Sequence, residues 1–266
     1  MIFNIIDRIT QYSRNQRLKL NKAISINDIT KVKKLLQRGV KPNLEIIKGN
    51  QNPLIFSVFE KSSFTLPQGS ISDLSKTLYK VTAKKECLRL LLEYGADSNV
   101  KDSCGRTPLE IAILWCMPDV VKLLLIHGGD PNQRDSKGIT PLMKTAILGI
   151  QDARPMNDKL QIIMHLLDSG AEIDAQAPNG KTALMYATGN SRIEIVELLI
   201  SSGASLLISD RLGNKACDII DRGVTTKQRV YLQKILTQPQ LNILKYKYQR
   251  FIPEGDHLLN SILQTL

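Results

Sequence analysis

The chain has 266 residues, of which 42% are hydrophobic, and its formal net charge is +11, so it can bury a substantial core in one or two domains. No stretch approaches the roughly 18 to 20 apolar residues of a membrane span, and Asp7 and Arg8 interrupt MIFNII before it could form a secretory signal. We therefore expect a soluble, intracellular (cytoplasmic) protein.

The N-terminal segment, residues 1–19, predicts a capping helix. Its apolar residues, Phe3 and four isoleucines, precede the basic residues Arg14, Arg17 and Lys19. Two interpretations stay open for this pattern. The segment either covers the apolar face of the helices that follow, or it meets a membrane surface or nucleic acid.

Residues 20–48 predict a pair of helices that ends at a glycine. Val32, Leu35 and Leu36 recur at helical spacing, and Gly39 follows them. Glycine adopts the left-handed conformation that ends many helices at little cost.

Residues 49–101 predict a second helical pair that contains a long insertion. Pro53 opens the first helix and Lys85 opens the second. Between them, residues 61–83 are rich in Ser and Thr and include a proline and a glycine. This insertion is either a tolerated surface loop or an accessory binding arm.

Residues 102–134 carry the clearest helical pair. Thr107 stands directly before a proline, where its hydroxyl can cap the first helix while the proline occupies the first turn. Pro118 opens the second helix, which carries apolar residues at helical spacing, and Gly128 ends it.

This pair is repeated along the chain. Gly105, Gly138, Gly180 and Gly213 are separated by 33, 42 and 33 residues, and the same spacing separates four glycines at the ends of second helices, Gly95, Gly128, Gly170 and Gly203. The period is therefore 33, with nine extra residues around 149–157 in one repeat. The further repeats are 135–176, 177–209 and 210–237, which makes about six.

The last repeat is degenerate and a separate tail follows it. Lys215 and Ala216 stand where Thr-Pro would be, and Gly223 and Thr225 interrupt the helical pattern. Residues 238–266 are predicted to form C-terminal capping helices. Because their apolar residues alternate with basic ones, a membrane surface or nucleic acid is the alternative contact.

These motifs resemble the ankyrin repeat, with its Gly-x-Thr-Pro-Leu opening, Val-x-x-Leu-Leu in the second helix and Gly-Ala-Asp-x-Asn ending. The resemblance covers residues 20–237 and implies an all-α ankyrin-repeat solenoid. The abundance of Ile, Lys and Asn and the imperfect repeats are similar to ankyrin proteins of intracellular pathogens and large DNA viruses. That similarity implies an effector, delivered into a host cell and acting on a host protein.

The resemblance also implies a binding surface, because ankyrin stacks hold partner proteins on a concave face made of loop tips and first helices. The implied loop-tip positions are Cys104, Arg106, Lys137, Ile139, Asn179, Lys181, Leu212 and Asn214. The implied first-helix positions are Leu114, Trp115, Ile147, Leu148, Gly189 and Asn190. Trp and Arg are enriched in interface hot spots, so Trp115 and Arg106 are the predicted central contacts. Packing of Trp115 between repeats is the alternative.

The positive charge lies at the two ends of the chain. Residues 1–48 hold eleven Lys and Arg against three acidic residues, and residues 222–266 hold seven against two. Residues 49–221 hold eighteen against twenty. The ends are either solvated caps or patches that attract nucleic acid, anionic membrane or an acidic protein.

No pattern in the sequence indicates catalysis, a cofactor or a metal. The four cysteines lack C-x-x-C spacing, and the three histidines are scattered. We therefore expect a protein-interaction module such as an adaptor, scaffold or inhibitor, and not an enzyme. A nucleic-acid-binding or membrane-associated protein and an enzyme with a site in residues 61–83 are the weaker hypotheses.

Overall fold

The computed structural model describes residues 12, 15–16, 18–43, 85–102, 104–148, 155–220 and 225–237. Every regular element in these ranges is a helix, so the predicted all-α class is confirmed. The helices are α1 (18–25), α2 (Ile29–Gln37), α3 (Lys85–Glu93), α4 (Pro108–Leu114), α5 (Pro118–Ile126), α6 (Pro141–Ile147), α7 (Met156–Asp168), α8 (Ala183–Gly189), α9 (Ile193–Ser201), a 3₁₀ helix (Ala216–Ile219) and α10 (Thr226–Thr237).

A threonine hydroxyl starts three of the first helices, as predicted for two of them. Thr107 and Thr140 have extended backbones, and their side chains accept the N–H groups of Glu110 and Met143 at 3.2 and 3.3 Å. Thr182 caps α8 in the same way, although no proline follows it. The hydroxyl is therefore the cap that α4, α6 and α8 share.

A glycine in the left-handed conformation follows each described second helix of the first five repeats. At the end of α5, Gly128 has φ +85° and its N–H donates to the Leu125 carbonyl at 3.1 Å. The equivalent glycines, Gly39, Gly95, Gly170 and Gly203, have φ between +81° and +95°. These positions confirm the predicted helix ends.

The chain divides into two compact units, Met1–Asp130 and Pro131–Leu266. In the first unit, α2 packs against α3, α3 against α5, and α4 against α5. Its core is aliphatic and includes Val32, Leu88, Leu91, Ile111 and Leu124, none more than 1% exposed. Burial of each such side chain contributes about 1.5 to 3 kcal/mol to folding.

In the second unit, helices of successive repeats lie side by side. The first helices α6 and α8 and the 3₁₀ helix pack in sequence, and α7 packs against α9. Ala146 in α6 and Ala187 in α8 are completely buried. These small side chains let neighbouring helices approach closely.

In four repeats, a polar side chain four residues after the glycine bonds to the backbone of the next repeat. In the first unit, the Asn99 amide donates to the Gly128 carbonyl at 2.8 Å and its oxygen accepts the Asp130 N–H at 2.8 Å. Asn43, Asn132 and Asp174 make equivalent contacts within their own units. Leu207 occupies this position in the next repeat and is 77% exposed.

The structure describes only part of the two insertions. Residues 61–83 lie outside the described residues, as do 149–154. The remainder of the second insertion differs from the predicted loop, because Met156 and Asn157 belong to α7. Helix α7 has 13 residues where α5 and α9 have nine, so the repeat uses part of its insertion to lengthen the second helix.

The last repeat begins with one turn of 3₁₀ helix instead of a seven-residue α-helix. No Thr-Pro cap is present, and the Lys215 N–H donates to the Asp218 carboxylate at 2.8 Å. Helix α10 then starts at a capping box in which Thr225 and Gln228 bond each other's backbone N–H groups at 3.1 and 3.3 Å. Thr225, predicted to interrupt the helix, therefore begins a new one.

Most of the predicted terminal capping segments lies outside the described residues, and their role stays a prediction. Across the described ranges, no helix combines the length and apolar character that crossing a membrane requires.

Candidate functional site

Four repeats begin with a five-residue loop whose backbone closes on itself. In loop 102–106, the Asp102 N–H donates to the Arg106 carbonyl and the Gly105 N–H donates to the Asp102 carbonyl, both at 2.9 Å. The same pair of bonds closes loops 135–139, 177–181 and 210–214. We call these four segments the loop tips.

An aspartate side chain fixes three of the loop tips. Asp135 accepts the N–H groups of Lys137 and Ile139 at 2.9 Å and forms an ion pair with Lys144. Burial raises the pKa of Asp135, but the Lys144 ammonium and the two N–H groups outweigh burial and hold that pKa below its usual 3.8. Asp210 accepts the N–H groups of Leu212 and Asn214 in the same manner.

Arg106, a predicted contact, is held within its own loop. Its Nη2 and Nε lie 2.7 and 2.9 Å from Oδ2 of Asp102, and its side chain is one-third exposed. Partial burial lowers the pKa of Arg106, but the hydrogen bond and the charge of Asp102 outweigh burial and raise it. The guanidinium is therefore permanently charged and fixed in one orientation on the loop.

Trp115 and Leu114 lie at the end of α4, in the same unit as Arg106. Both are partly buried, and the Trp115 N–H donates to the Ile111 carbonyl at 3.1 Å. Cys104 is exposed on the adjoining loop tip. The predicted residues of the first unit are therefore an exposed Cys104, the partly exposed Arg106, and the partly buried Leu114 and Trp115.

In the second unit, successive loop tips are in direct contact. A Cβ atom on Gly138 would lie 2.6 Å from Cγ of Pro178, and one on Gly180 would lie 2.6 Å from the Arg211 nitrogen. The Arg211 N–H also donates to the Asn179 carbonyl at 3.1 Å. These loop tips therefore form one continuous edge, which has room only for glycine at these two positions.

The predicted residues of the second unit lie along this edge and on α6 and α8. Lys137 and Asn179 are exposed. The other four, Ile139, Leu148, Lys181 and Asn190, are partly exposed. Two of them also have structural contacts. The Asn179 amide donates to the Tyr186 hydroxyl at 3.0 Å, and the Asn190 amide reaches the Ala146 carbonyl at 3.4 Å.

Leu212 is the most exposed large apolar residue among the described ones, at 85%. It follows Arg211, an exposed residue that the sequence analysis did not single out. The 33-residue period could have identified Arg211 as a loop-tip residue, because Arg211 occupies the same place in its loop as Pro178 does in the preceding loop. Leu212 was among the implied loop-tip positions, whereas Arg211 was not.

Within the described part of the chain, no three His, Cys, Asp or Glu side chains are grouped so that they could hold a metal ion. Cys104 and Cys217 are at least partly accessible, whereas Cys87 and Cys116 are buried.

A family model described as ankyrin repeats (3 copies) matches residues 72–135 and 117–210. The two matches together cover residues 72–210, slightly more than half of the 266 residues. Among curated proteins, none matches the chain. The matched region contains α3 to α9 and the loop tips 102–106, 135–139 and 177–181.

Proposed function

Because the chain belongs to the ankyrin-repeat family, whose members are protein-interaction modules, we propose that it binds one partner protein through its loop tips and first helices. In this role it would act as an adaptor, scaffold or inhibitor. An effector that acts on a host protein is one form of this proposal.

The internal hydrogen bonding of the loop tips is the observation that carries the proposal. Each tip is closed by two backbone bonds, and an aspartate holds three of the four from within. A surface that is already ordered loses little conformational entropy on binding, and so more of its contact energy appears as affinity. Side chains on such tips can therefore contribute strongly to a protein interface.

Trp115 and Arg106 are the proposed central contacts in the first unit. Both side chains are partly accessible, and the ion pair with Asp102 already orients Arg106. Large side chains that are oriented before binding are the typical hot spots of interfaces. Leu114 and Cys104 would contribute the surrounding contacts.

The loop tips of the second unit favour an acidic partner segment. Lys137 and Arg211 are exposed and Lys181 is partly exposed, whereas Asp135 and Asp210 are engaged by hydrogen bonds within their loops. The edge therefore presents positive charge together with one exposed leucine, Leu212. An acidic segment with a large apolar residue would complement it.

The test begins with affinity capture and mass spectrometry to identify the partner, followed by binding measurements on variants. Trp115→Ala combined with Arg106→Ala should weaken binding roughly thirtyfold or more, because each hot-spot truncation costs about 2 kcal/mol or more. High salt should weaken binding by the unchanged protein only in part, since it screens the charged contacts of the loop tips but not the apolar contacts of Trp115 and Leu212.

Arg89→Ala is the matched control, because Arg89 also pairs with an acid four residues away, Glu93, but on the exposed side of α3. It should bind normally. Thermal melts of every variant check that the fold is intact. Normal binding by the double variant, together with loss of binding after charge reversal of Lys31, Lys33 and Lys34, would overturn the proposal.

A further inference from the structure

Residues 19–41 carry a dense group of exposed cations. Seven lysine and arginine side chains on α1, α2 and the residues that follow α2 are exposed to solvent. We call them the basic face: Lys19, Lys22, Lys31, Lys33, Lys34, Arg38 and Lys41. The group lies outside the loop tips and first-helix positions proposed above, so it needs a separate explanation.

Little negative charge opposes the basic face from within the repeat. Asp28 is the one acidic residue between positions 18 and 43, and its carboxylate caps α2 by accepting the Lys31 N–H at 2.9 Å. The ion pairs found within the described ranges involve other residues. The seven exposed cations therefore give residues 18–43 a strongly positive surface.

Two exposed isoleucines lie at the turn between α1 and α2. Ile26 is 61% exposed and Ile29 is 38% exposed. The turn is held in place from both sides: Asn27 has φ +55°, the Asp28 N–H donates to the Ala23 carbonyl at 2.9 Å, and the Cys87 thiol contacts the Asn27 side chain at 3.5 Å. Ile26 is therefore presented to solvent by a fixed turn.

Each isoleucine lies one helical turn from one of the cations. The Ile26 N–H donates to the Lys22 carbonyl, and Ile29 is one helical turn before Lys33 on α2. Apolar side chains surrounded by lysines are the combination that binds the interface of an anionic bilayer, where the lysines meet headgroup charges and the apolar groups enter the acyl boundary.

We propose that the first repeat docks on the surface of an anionic lipid membrane, with Ile26 and Ile29 inserted among the headgroups and the basic face against the lipid charges. Nucleic acid would satisfy the lysines but gives the isoleucines no apolar environment. Residues 18–43 also contain no aromatic side chain on which a base could stack. These two features favour a bilayer.

The experiment is co-sedimentation of the full chain with phosphatidylcholine vesicles that contain or lack phosphatidylserine. The protein should bind only the vesicles that contain phosphatidylserine, and less at high salt. Each lysine beside an anionic surface contributes roughly fivefold to affinity. Charge reversal of Lys31, Lys33 and Lys34 to Glu should therefore weaken binding about a hundredfold or more.

Two matched controls separate this face from general positive charge and general hydrophobicity. Charge reversal of three other exposed lysines, Lys101, Lys122 and Lys227, changes the net charge equally and should have a much smaller effect. Ile26→Ser should weaken binding roughly tenfold. Ile126→Ser, at an equally exposed position of the same unit, should not.

Three results would overturn the proposal, provided that circular dichroism shows folded variants. The first is absence of binding to phosphatidylserine vesicles at low salt. The second is an equal loss of binding in the two triple variants or in the two isoleucine variants. The third is binding to single-stranded or double-stranded nucleic acid, lost with Lys31, Lys33 and Lys34, that is tighter than binding to vesicles.

Discussion

At the scale of single residues, two glycines with the same backbone conformation have different surroundings. Gly180 and Gly213 both have φ +82° and occupy the same place in successive loop tips. A side chain on Gly213 would enter open space, whereas one on Gly180 would meet the backbone of Asp210 and Arg211. The conformation is a local property, but the close approach comes from the next repeat.

We therefore expect Gly213→Ala to cost about 1 to 2 kcal/mol, the penalty for a Cβ in the left-handed conformation. Gly180→Ala should cost about 1 to 3 kcal/mol more, because the neighbouring backbone has to move. Urea unfolding of both variants at neutral pH measures the difference. Equal costs would mean that the second and third loop tips of this unit are not in contact.

Asp135 gives the chain a stability that depends on pH. In the folded state its pKa is below the usual value. At a pH between the folded and the unfolded pKa, the unfolded chain therefore binds more protons than the folded chain does. The contribution of Asp135 is therefore complete above its unfolded pKa near 4 and is lost as the pH falls through the folded pKa.

Asp135→Asn should lower the free energy of unfolding by about 1 to 3 kcal/mol at neutral pH, because a charged hydrogen-bond acceptor and its ion pair with Lys144 are lost. The difference from the unchanged protein should shrink as the pH falls below the unfolded pKa near 4 and through the lower pKa that Asp135 has in the folded chain. Urea unfolding across this pH range is the measurement. A difference that does not vary with pH would contradict the role of the carboxylate charge.

At the scale of elements, α8 depends on its cap more than α4 and α6 do. Thr107 and Thr140 are each followed by a proline that fixes the first helical turn, but Ala183 follows Thr182. The start of α8 therefore depends on the Thr182 hydroxyl, which accepts the Met185 N–H at 3.3 Å.

Thr182→Val keeps the shape and removes the acceptor, and we expect it to cost about 1 to 2 kcal/mol in thermal or urea unfolding. Thr237→Val is the control, since that hydroxyl only donates to the Gln233 carbonyl at the exposed end of α10. It should be nearly neutral. If the two variants are equally stable, the cap does not start α8.

At the scale of the whole molecule, the period of 33 predicts which segment can be removed. Residues 61–83 interrupt one repeat, but the helical pattern resumes with α3, which begins at Lys85. Deletion of 61–83 should leave a folded, mostly helical protein that unfolds cooperatively, as followed by circular dichroism during heating. Loss of cooperative unfolding would mean that these residues belong to the core.

The sequence by itself determined those helix ends that depend on contacts within three or four residues. Thr107 and Thr140 cap the helices that follow them, and Gly128 ends α5 in the left-handed conformation, as their motifs predict. The family resemblance, drawn from the same motifs, is confirmed over residues 72–210. The candidate binding residues followed from that register and stay a prediction.

Only the tertiary structure decided what each side chain of the candidate site contacts. It pairs Arg106 with Asp102 and brings the Asn190 amide to the Ala146 carbonyl. It also places Met156 and Asn157, which were expected to belong to a loop, in the first turn of α7. It also leaves Leu212 exposed, although the equivalent positions of the other loop tips hold polar residues or a cysteine. The period assigns each residue a position within its repeat. Its contacts and its exposure depend on the neighbouring repeat, and the side chains there differ from one repeat to the next.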